Sequence, residues 1–498
     1  VRQLLVESVA LAAAGGAAGL LASWAMLGAI RRWAPQVFPR LAEVQLDARA
    51  LGFVILIVAL VSIVLGLFPA RAALRAGLSS ALRHGTAGSG DGRASTRLRG
   101  ALVVVQVALA VVVAVSAGLV GRTLTILGDT PLGVDPDGVQ VLRVFPPPGK
   151  YDSPEAALAL FRRLEETMRA IPGVQNVALA NHAPFSGGMV FTQVLTDAPP
   201  AADGSDRAVY RTVSPSYLAT MGGALKRGRF LTDEDLTSVG SGLVVNEAFV
   251  RRFSSQGDPL GKSITVFRMA QGRADMGTRI IAPIVGVIAD ERLFGAAQPA
   301  PPIVYVPYTW NVWPNIFVAV RSSMPTATLA PLLKAAVFSV EPAVPVAGTS
   351  PWTTFRPLGF YIDGLLQARR VNAWSLSAFS MATLLLATIG IFGVMAFIVV
   401  QRSREIGLRL ALGASPASVS RWVLWQTVRL ALLGVALGTG AALLWSRVMQ
   451  GALVGVAATE PIVYVGAAAL FATASLLAGI IPAWRAARID PVHMLRAD

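Results

Sequence analysis

Six apolar runs, each long enough to cross a bilayer, bracket a polar block of about 240 residues, and this arrangement limits the chain more than any motif does. The runs are 4–30, 51–70, 101–124, 374–400, 421–447 and 461–483. About 20 helical residues at about 1.5 Å each span a hydrocarbon core of about 30 Å, so every run reads as a transmembrane helix. Of 498 residues, 54% are hydrophobic and 14% charged, and the mean hydropathy is +0.60, which excludes a soluble globular chain. Arg71, Arg75, Arg83, Arg93, Arg97 and Arg99 against the single acid Asp91 mark 71–99 as a flexible cytoplasmic linker. The same bias places 402–420 and 485–498 inside, so 128–368 falls outside. Arg31 and Arg32 run against it, making the first hairpin the weakest part of the orientation.

A net charge of +15 in a soluble chain would point to nucleic acid. Here the arginines cluster beside apolar runs, where orientation accounts for them, and no nucleic acid is expected as a partner. The absence of Cys excludes disulfides, thiolate metal sites and Cys nucleophiles, and His84, His182 and His493 lack metal-ligand spacing. The chain starts at Val1 inside an apolar pattern, as expected of the later part of something longer.

An internal repeat follows from two offsets. Leu11, Gly15 and Gly19 correspond to Leu430, Gly434 and Gly438 at 419, and the stretch 66–83 corresponds to 479–496 at 413, sharing Gly, Pro, Ala, Ala, Arg and a final Leu-Arg. The loop between the copies' two spans is therefore six residues shorter in the second copy. Both copies carry Gly-xxx-Gly in the first span of the pair, which lets helix backbones approach closely in lipid.

The outer block reads as mixed α and β, organised as two subdomains. Ser153 and Pro154 start a helix that runs to Ile171, with strands at 174–180, 242–245, 281–288, 303–306 and 316–320 and helices at 246–253 and 326–340. The segment 256–263 resembles a phosphate loop but has Gln256 where the first Gly must be, and Ile264-Thr265-Val266-Phe267 favours a strand where a helix is needed, so Lys262 reads as structural. Asp233, Glu234 and Asp235 read as a helix start, lacking the further oxygen ligands of a calcium loop. No catalytic constellation emerges, and the chain is not expected to be an enzyme.

Between the fourth and fifth runs lies RSREIGLRLALGA, 402–414, followed by Ser415 and Pro416. Ile406 and Leu410 share a helical face with Gly413, while Arg402, Arg404 and Arg409 supply cations, giving a short, basic, amphipathic helix at the cytoplasmic face. Glu405 and Arg409 stand at i, i+4, where they can pair.

These motifs carry a family resemblance. Arg404-Glu405-Ile406-Gly407-Leu408-Arg409, Ala411-Leu412-Gly413-Ala414, Pro482 with Arg485-Ala486, and Pro491 with Leu495-Arg496 resemble the FtsX-like permease domain. Val213-Ser214-Pro215-Ser216-Tyr217-Leu218, Gly228-Arg229-Phe230, 244–249, 258–262 and 284–288 resemble the MacB-type periplasmic core domain. The fold class implied is an α-helical transmembrane bundle plus an α+β extracytoplasmic domain. The expected divisions are 1–72 as the end of a first permease domain with two spans, 73–99 as cytoplasmic linker, 100–127 as a transmembrane helix, 128–368 as the MacB-like core and 369–498 as the FtsX-like domain with three spans. The parent resembles a duplicated, N-terminally truncated permease of the acidobacterial orphan kind.

The resemblance implies a multi-pass protein of the bacterial inner membrane with a large periplasmic domain. It implies a cytoplasmic ABC ATPase docking on Arg404, Glu405, Ile406, Gly407, Leu408, Arg409, Leu412, Gly413 and Ala414, and motion passed to the periplasmic domain for export or extraction of a periplasmic substrate. No cofactor is expected in this chain, ATP belonging to the separate ATPase. Membrane lipid, a periplasmic adaptor or hydrolase, and self-association or pairing of two permease halves complete the implied partners. The alternative is a membrane scaffold that signals to a periplasmic cell-wall hydrolase.

Overall fold

The computed structural model describes residues 2–33, 47–75, 91–196, 206–254, 257–270, 274–346 and 354–488. It divides into two compact units, Val1–Leu124 with Arg369–Asp498, and Thr125–Ala368.

The Thr125–Ala368 unit is built on a mixed sheet of eleven strands, with β1 (Val139–Val144), β2 (Val174–Ala180), β3 (Phe191–Gln193), β4 (Arg207–Val213), β5 (Leu225–Gly228), β6 (Leu243–Asn246), β7 (Ser263–Phe267), β8 (Arg279–Ile288), β9 (Ile303–Pro307), β10 (Ile316–Ser322) and β11 (Arg356–Pro357). Their order is β11-β1-β10-β2-β4-β9-β6-β8-β5, with β3 on β4 and β7 on β8. Among the described strands only β4 with β9 and β6 with β8 pair in parallel. Side chains alternate faces along each strand. Phe317 and Ala319 of β10, Tyr305 of β9 and Val209 of β4 enter one core that runs along a single face. Ile316, Val318 and Val320 turn to a second core, and Val304, Val306 and Tyr210 to a third. The two expected subdomains are thus two lobes on one face of a continuous sheet, which the pairing of Ala180 with Val213 carries across. With both faces covered, β9 is buried throughout and reads as an unbroken apolar run.

Helices close the second core. Chain-order helices α1 (Arg2–Trp33), α2 (Ala48–Arg75) and α3 (Asp91–Asp129) precede the sheet, and α4 is Pro154–Arg169. The Ser153 hydroxyl accepts from the Ala156 N–H at 3.2 Å, Pro154 stands at the first helical position, and Ala157, Leu160, Phe161, Leu164 and Met168 form the buried stripe. α5 is Tyr217–Met221 and α6 is Glu247–Phe253, the latter capped by Asn246, whose side chain accepts from the Phe249 N–H at 3.0 Å. α7 is Thr326–Val340. The acidic run 233–235 gives a single 3-10 turn, Glu234–Leu236, in which Asp235 accepts from the Thr232 N–H and pairs with Arg229 at 2.6 Å.

The other unit contains α1, α2, most of α3, the part of α8 (Leu358–Gln401) from Arg369 onward, α9 (Ser403–Ala411), α10 (Pro416–Val448) and α11 (Pro461–Ala487). At 44 residues, α8 is about 66 Å long at about 1.5 Å per residue, twice a hydrocarbon core. Among the described residues, five helices have the length and apolarity to cross a membrane, lying within α1, α3, α8, α10 and α11. α2 is a continuous helix of 28 residues whose described apolar part, Ala48–Leu60, is shorter, so the sixth expected span falls on this helix. α3 begins at Asp91, so the last part of the expected linker is helical. The residues 76–90, and 489–498 with Pro491, His493, Leu495 and Arg496, lie outside the described ones.

Lipid gives no hydrophobic drive between helices, so the bundle is held by close packing of small residues. A Cβ on Gly434 would lie 2.7 Å from Cβ of Val107, and one on Gly438 2.7 Å from the carbonyl oxygen of Ala108, fixing α3 against α10. One on Gly118 would meet Val463 at 2.6 Å, and one on Gly479 would meet Thr427 at 2.8 Å. The buried hydroxyls of Ser116, Thr123, Thr427 and Ser475 each donate to the carbonyl one turn back.

Candidate functional site

The RSREIGLRLALGA motif forms α9, a helix of nine residues set between α8 and α10. Ile406, 3% exposed, joins the bundle core with Val419 and Val423, and Gly407 beside it is buried, so one face anchors the helix. Leu410 packs against the same core. The opposite side is exposed: Arg404, Glu405, Leu408 (52%), Arg409 and Leu412 (80%). Two leucines one turn apart thus stand out among charges, a combination that suits a protein partner better than water or lipid.

Both helix ends follow from local chemistry. Gly413 N–H donates to the Leu410 carbonyl at 3.1 Å and Ala414 N–H to the Arg409 carbonyl at 2.9 Å, with Gly413 at φ +94°, the arrangement that ends helices on a left-handed glycine. Nothing described lies within 4 Å of a Cβ there, and glycine is required by the sign of φ. Ser415 then caps α10, accepting from the Ser418 N–H at 3.3 Å, with Pro416 at the first position.

The ion pairs on α9 are local. Glu405 receives Arg409 at 2.5 Å and has Arg402 at 3.9 Å, while Arg402 stacks 5.4 Å from the Trp422 ring. Exposed pairs of this kind are worth about 0.2–0.5 kcal/mol, so the charges contribute little to folding and stay available to a partner.

Elsewhere the rejected sites resolve as structure. Gly261 and Lys262 form a turn before β7, where Gly261 N–H donates to the Ile284 carbonyl at 2.8 Å, and a strand follows instead of a helix. Ser255 and Gln256 are outside the described residues, as is His84. Among the described residues no cluster of His, Asp and Glu could hold a metal.

Sequence reasoning missed a buried polar centre in the sheet unit. Arg211 of β4, 3% exposed, donates to the His182 carbonyl at 2.7 Å and the Tyr217 hydroxyl at 2.9 Å, and Tyr217 donates to Glu291 at 3.1 Å. Burial pushes the Glu291 carboxyl up, opposed by the Arg211 charge. No motif spacing announces this group, because its members come from four separate segments. Beside it, His182 lies edge-on to Trp313, with ring centroids 5.6 Å apart. Burial and the charges of Arg211 and Arg143 lower its pKa from 6.5 to about 4. The unfolded chain therefore takes a proton first, and stability present above about pH 6.5 is lost as pH falls toward 4. The melting temperature of the detergent-purified chain should drop between pH 7.5 and 5, and His182→Leu should shrink that drop. An equal drop in both proteins would remove His182 from the account.

Five helices of spanning length around small-residue contacts, together with an α+β sheet unit, define a multi-pass membrane protein carrying a folded domain outside the spans. The comparisons identify its kind. The FtsX-like permease C-terminal family matches residues 377–491, and the MacB-like periplasmic core domain family matches 100–336. The pyoverdine export ATP-binding/permease protein of Pseudomonas savastanoi pv. phaseolicola is 39% identical over 140 residues, covering 26% of this chain and 20% of that protein. The macrolide export ATP-binding/permease protein MacB 2 of Aeromonas hydrophila subsp. hydrophila is 24% identical over 298 residues, covering 57% and 43%. This chain spans less than half the length of these relatives. The solved periplasmic region of MacB from Actinobacillus actinomycetemcomitans covers 41% of this chain and 86% of its own, at 16% identity and a TM-score of 0.28. The chain belongs to the MacB/FtsX type of ABC transporter permease, a multi-pass inner-membrane protein with a periplasmic domain. The family is one of transport permeases.

Proposed function

We propose that α9 is the docking surface for a cytoplasmic ABC ATPase, and that the permease passes the partner's motion through the bundle to the periplasmic domain, serving export or extraction of a substrate from the periplasm. The observation that carries this reading is the two-sided build of α9: Ile406 locks it to the bundle while Leu408 and Leu412 stand exposed beside Glu405 and Arg409. A push on such a helix is transmitted, because packed interfaces shift as units and do not deform continuously. The names of the two export relatives join ATP binding and permease, which supports an ATPase as the partner kind. The buried hydroxyls Ser116, Thr123, Thr427 and Ser475 are satisfied within their own helices, so these described positions do not line a polar path and favour motion over conduction.

Co-purification of a co-expressed cognate ATPase tests the reading. Leu412→Asp and Glu405→Arg should each lower recovery several-fold at equal membrane abundance, since the first buries a charge in the interface and the second reverses one. Gly413→Leu is a poorer probe, because it deforms the end of the helix itself. Full recovery with both Leu412→Asp and Glu405→Arg would reduce α9 to a connector.

A further inference from the structure

α1 and α10 are copies of one helix. At the offset of 419, Leu5, Leu11, Ala12, Gly15, Gly19 and Ala22 of α1 match Leu424, Leu430, Ala431, Gly434, Gly438 and Ala441 of α10. The pairing of α1 with α2 repeats that of α10 with α11. A Cβ on Gly16 would meet Val58 at 2.6 Å, and of the counterparts of those two residues Phe471 lies in the bundle core and Val435 packs against it. The copies differ on one face. In α10 the stripe Ala431, Gly434, Gly438 and Ala442 is buried, and the ridge Val104, Val107, Ala108 and Val111 of α3 fills it. In α1 the equivalent Gly15, Gly19 and Ser23 are exposed, and nothing described comes within 4 Å of a Cβ at Gly15 or Gly19.

We infer that the Gly15/Gly19 face of α1 seats a transmembrane helix of the α3 kind, with a Val/Ala ridge like 104–111, contributed by a companion permease domain. In the second copy the occupant is α3, and the glycine spacing that admits it is repeated in the first. The chain's own α3 cannot serve both faces, because Val107 and Val111 are each 0% exposed in the bundle. The same holds for α3 of a second copy. This inference stands on the repeat and is independent of how an ATPase binds α9.

The chain lacks Cys, so disulfide trapping is clean. The full chain carrying Gly15→Cys or Gly19→Cys is reconstituted in liposomes with a synthetic peptide spanning Arg99–Asp129. The peptide carries Val107→Cys for the first position and Val111→Cys for the second, and the mixture is then oxidised. Both substitutions in α1 point into open space, so folding is not at stake. Expected is a yield at least several-fold above that of Leu21→Cys or Trp24→Cys, which are 68% and 69% exposed in the wild type. Adding Gly19→Ile to the Gly15→Cys chain should abolish the excess. Equal yields at all four α1 positions would make the face lipid-facing and overturn the inference. Chain-to-chain disulfides at Gly15 or Gly19 without peptide would assign the face to a second copy and overturn it equally.

Discussion

Replacing Gly438 by leucine is expected to destabilise the bundle by about 3 kcal/mol, the upper end of the usual cost of overpacking, because the groups in the way cannot rotate aside. A Cβ at this position would lie 2.7 Å from the Ala108 carbonyl oxygen, 2.9 Å from its Cα and 2.8 Å from Cβ of Val111. All three belong to helix backbone or to the stem of a β-branched residue, so relief requires α3 to move away from α10. A residue other than glycine would gain about 1 kcal/mol of helix propensity, which offsets only part of the clash. Gly440, two residues on, is exposed and has nothing within 4 Å of a Cβ, so Gly440→Leu should be neutral or slightly stabilising. Thermal unfolding of the detergent-purified full chain separates the two. Equal melting temperatures for Gly438→Leu and Gly440→Leu would mean that α3 and α10 are not held by this contact.

The same pair of glycines shows how far the sequence can be read. Gly-xxx-Gly announced a close helix contact, and α10 makes it, but spacing alone could not say which helix approaches, since that depends on the bundle's topology. At α1 the residue in contact with α2 is Gly16, one position off the repeated pair, a distinction the pattern does not hold. Strands β9 and β10 were legible because continuous apolar runs sit between turn residues. Strand β4 was not: Arg207-Ala208-Val209-Tyr210-Arg211-Thr212-Val213 carries a buried arginine in its middle, and a charge there argues against a core strand until its partners are known. For α9 the motif gave the helix, its pairing of Glu405 with Arg409 and its burial of Ile406. The backbone role of Gly413 was not legible, because sequence shows a glycine's small size and its backbone freedom as the same letter.

That buried arginine carries the other large effect. Arg211→Met should destabilise the sheet unit by about 3–5 kcal/mol near neutral pH, the usual cost of removing one partner from a buried charge pair. The loss does not come from a missing contact alone. Arg211 reaches Glu291 through the Tyr217 hydroxyl, at 2.9 Å and 3.1 Å, and Glu291 is 1% exposed, so without the guanidinium its carboxylate is left uncompensated. Glu291 already has its pKa raised by burial, with Arg211 as the leading opposing influence, and removing that influence raises it further. The folded variant then holds a proton that the unfolded chain has released, so its stability falls as pH rises above the ordinary carboxyl range. Arg211→Met should accordingly look less damaged at pH 5 than at pH 8. Adding Glu291→Leu should recover most of the loss and remove this pH dependence, because an apolar pair of similar volume needs neither charge. The measurement is a double-mutant cycle of thermal stability on the full chain at both pH values. If Arg211→Met and the double variant were equally unstable at pH 8, Arg211 would be acting through packing alone, and the linked Arg211–Tyr217–Glu291 centre would not be what holds β4, α5 and the segment after β8 together.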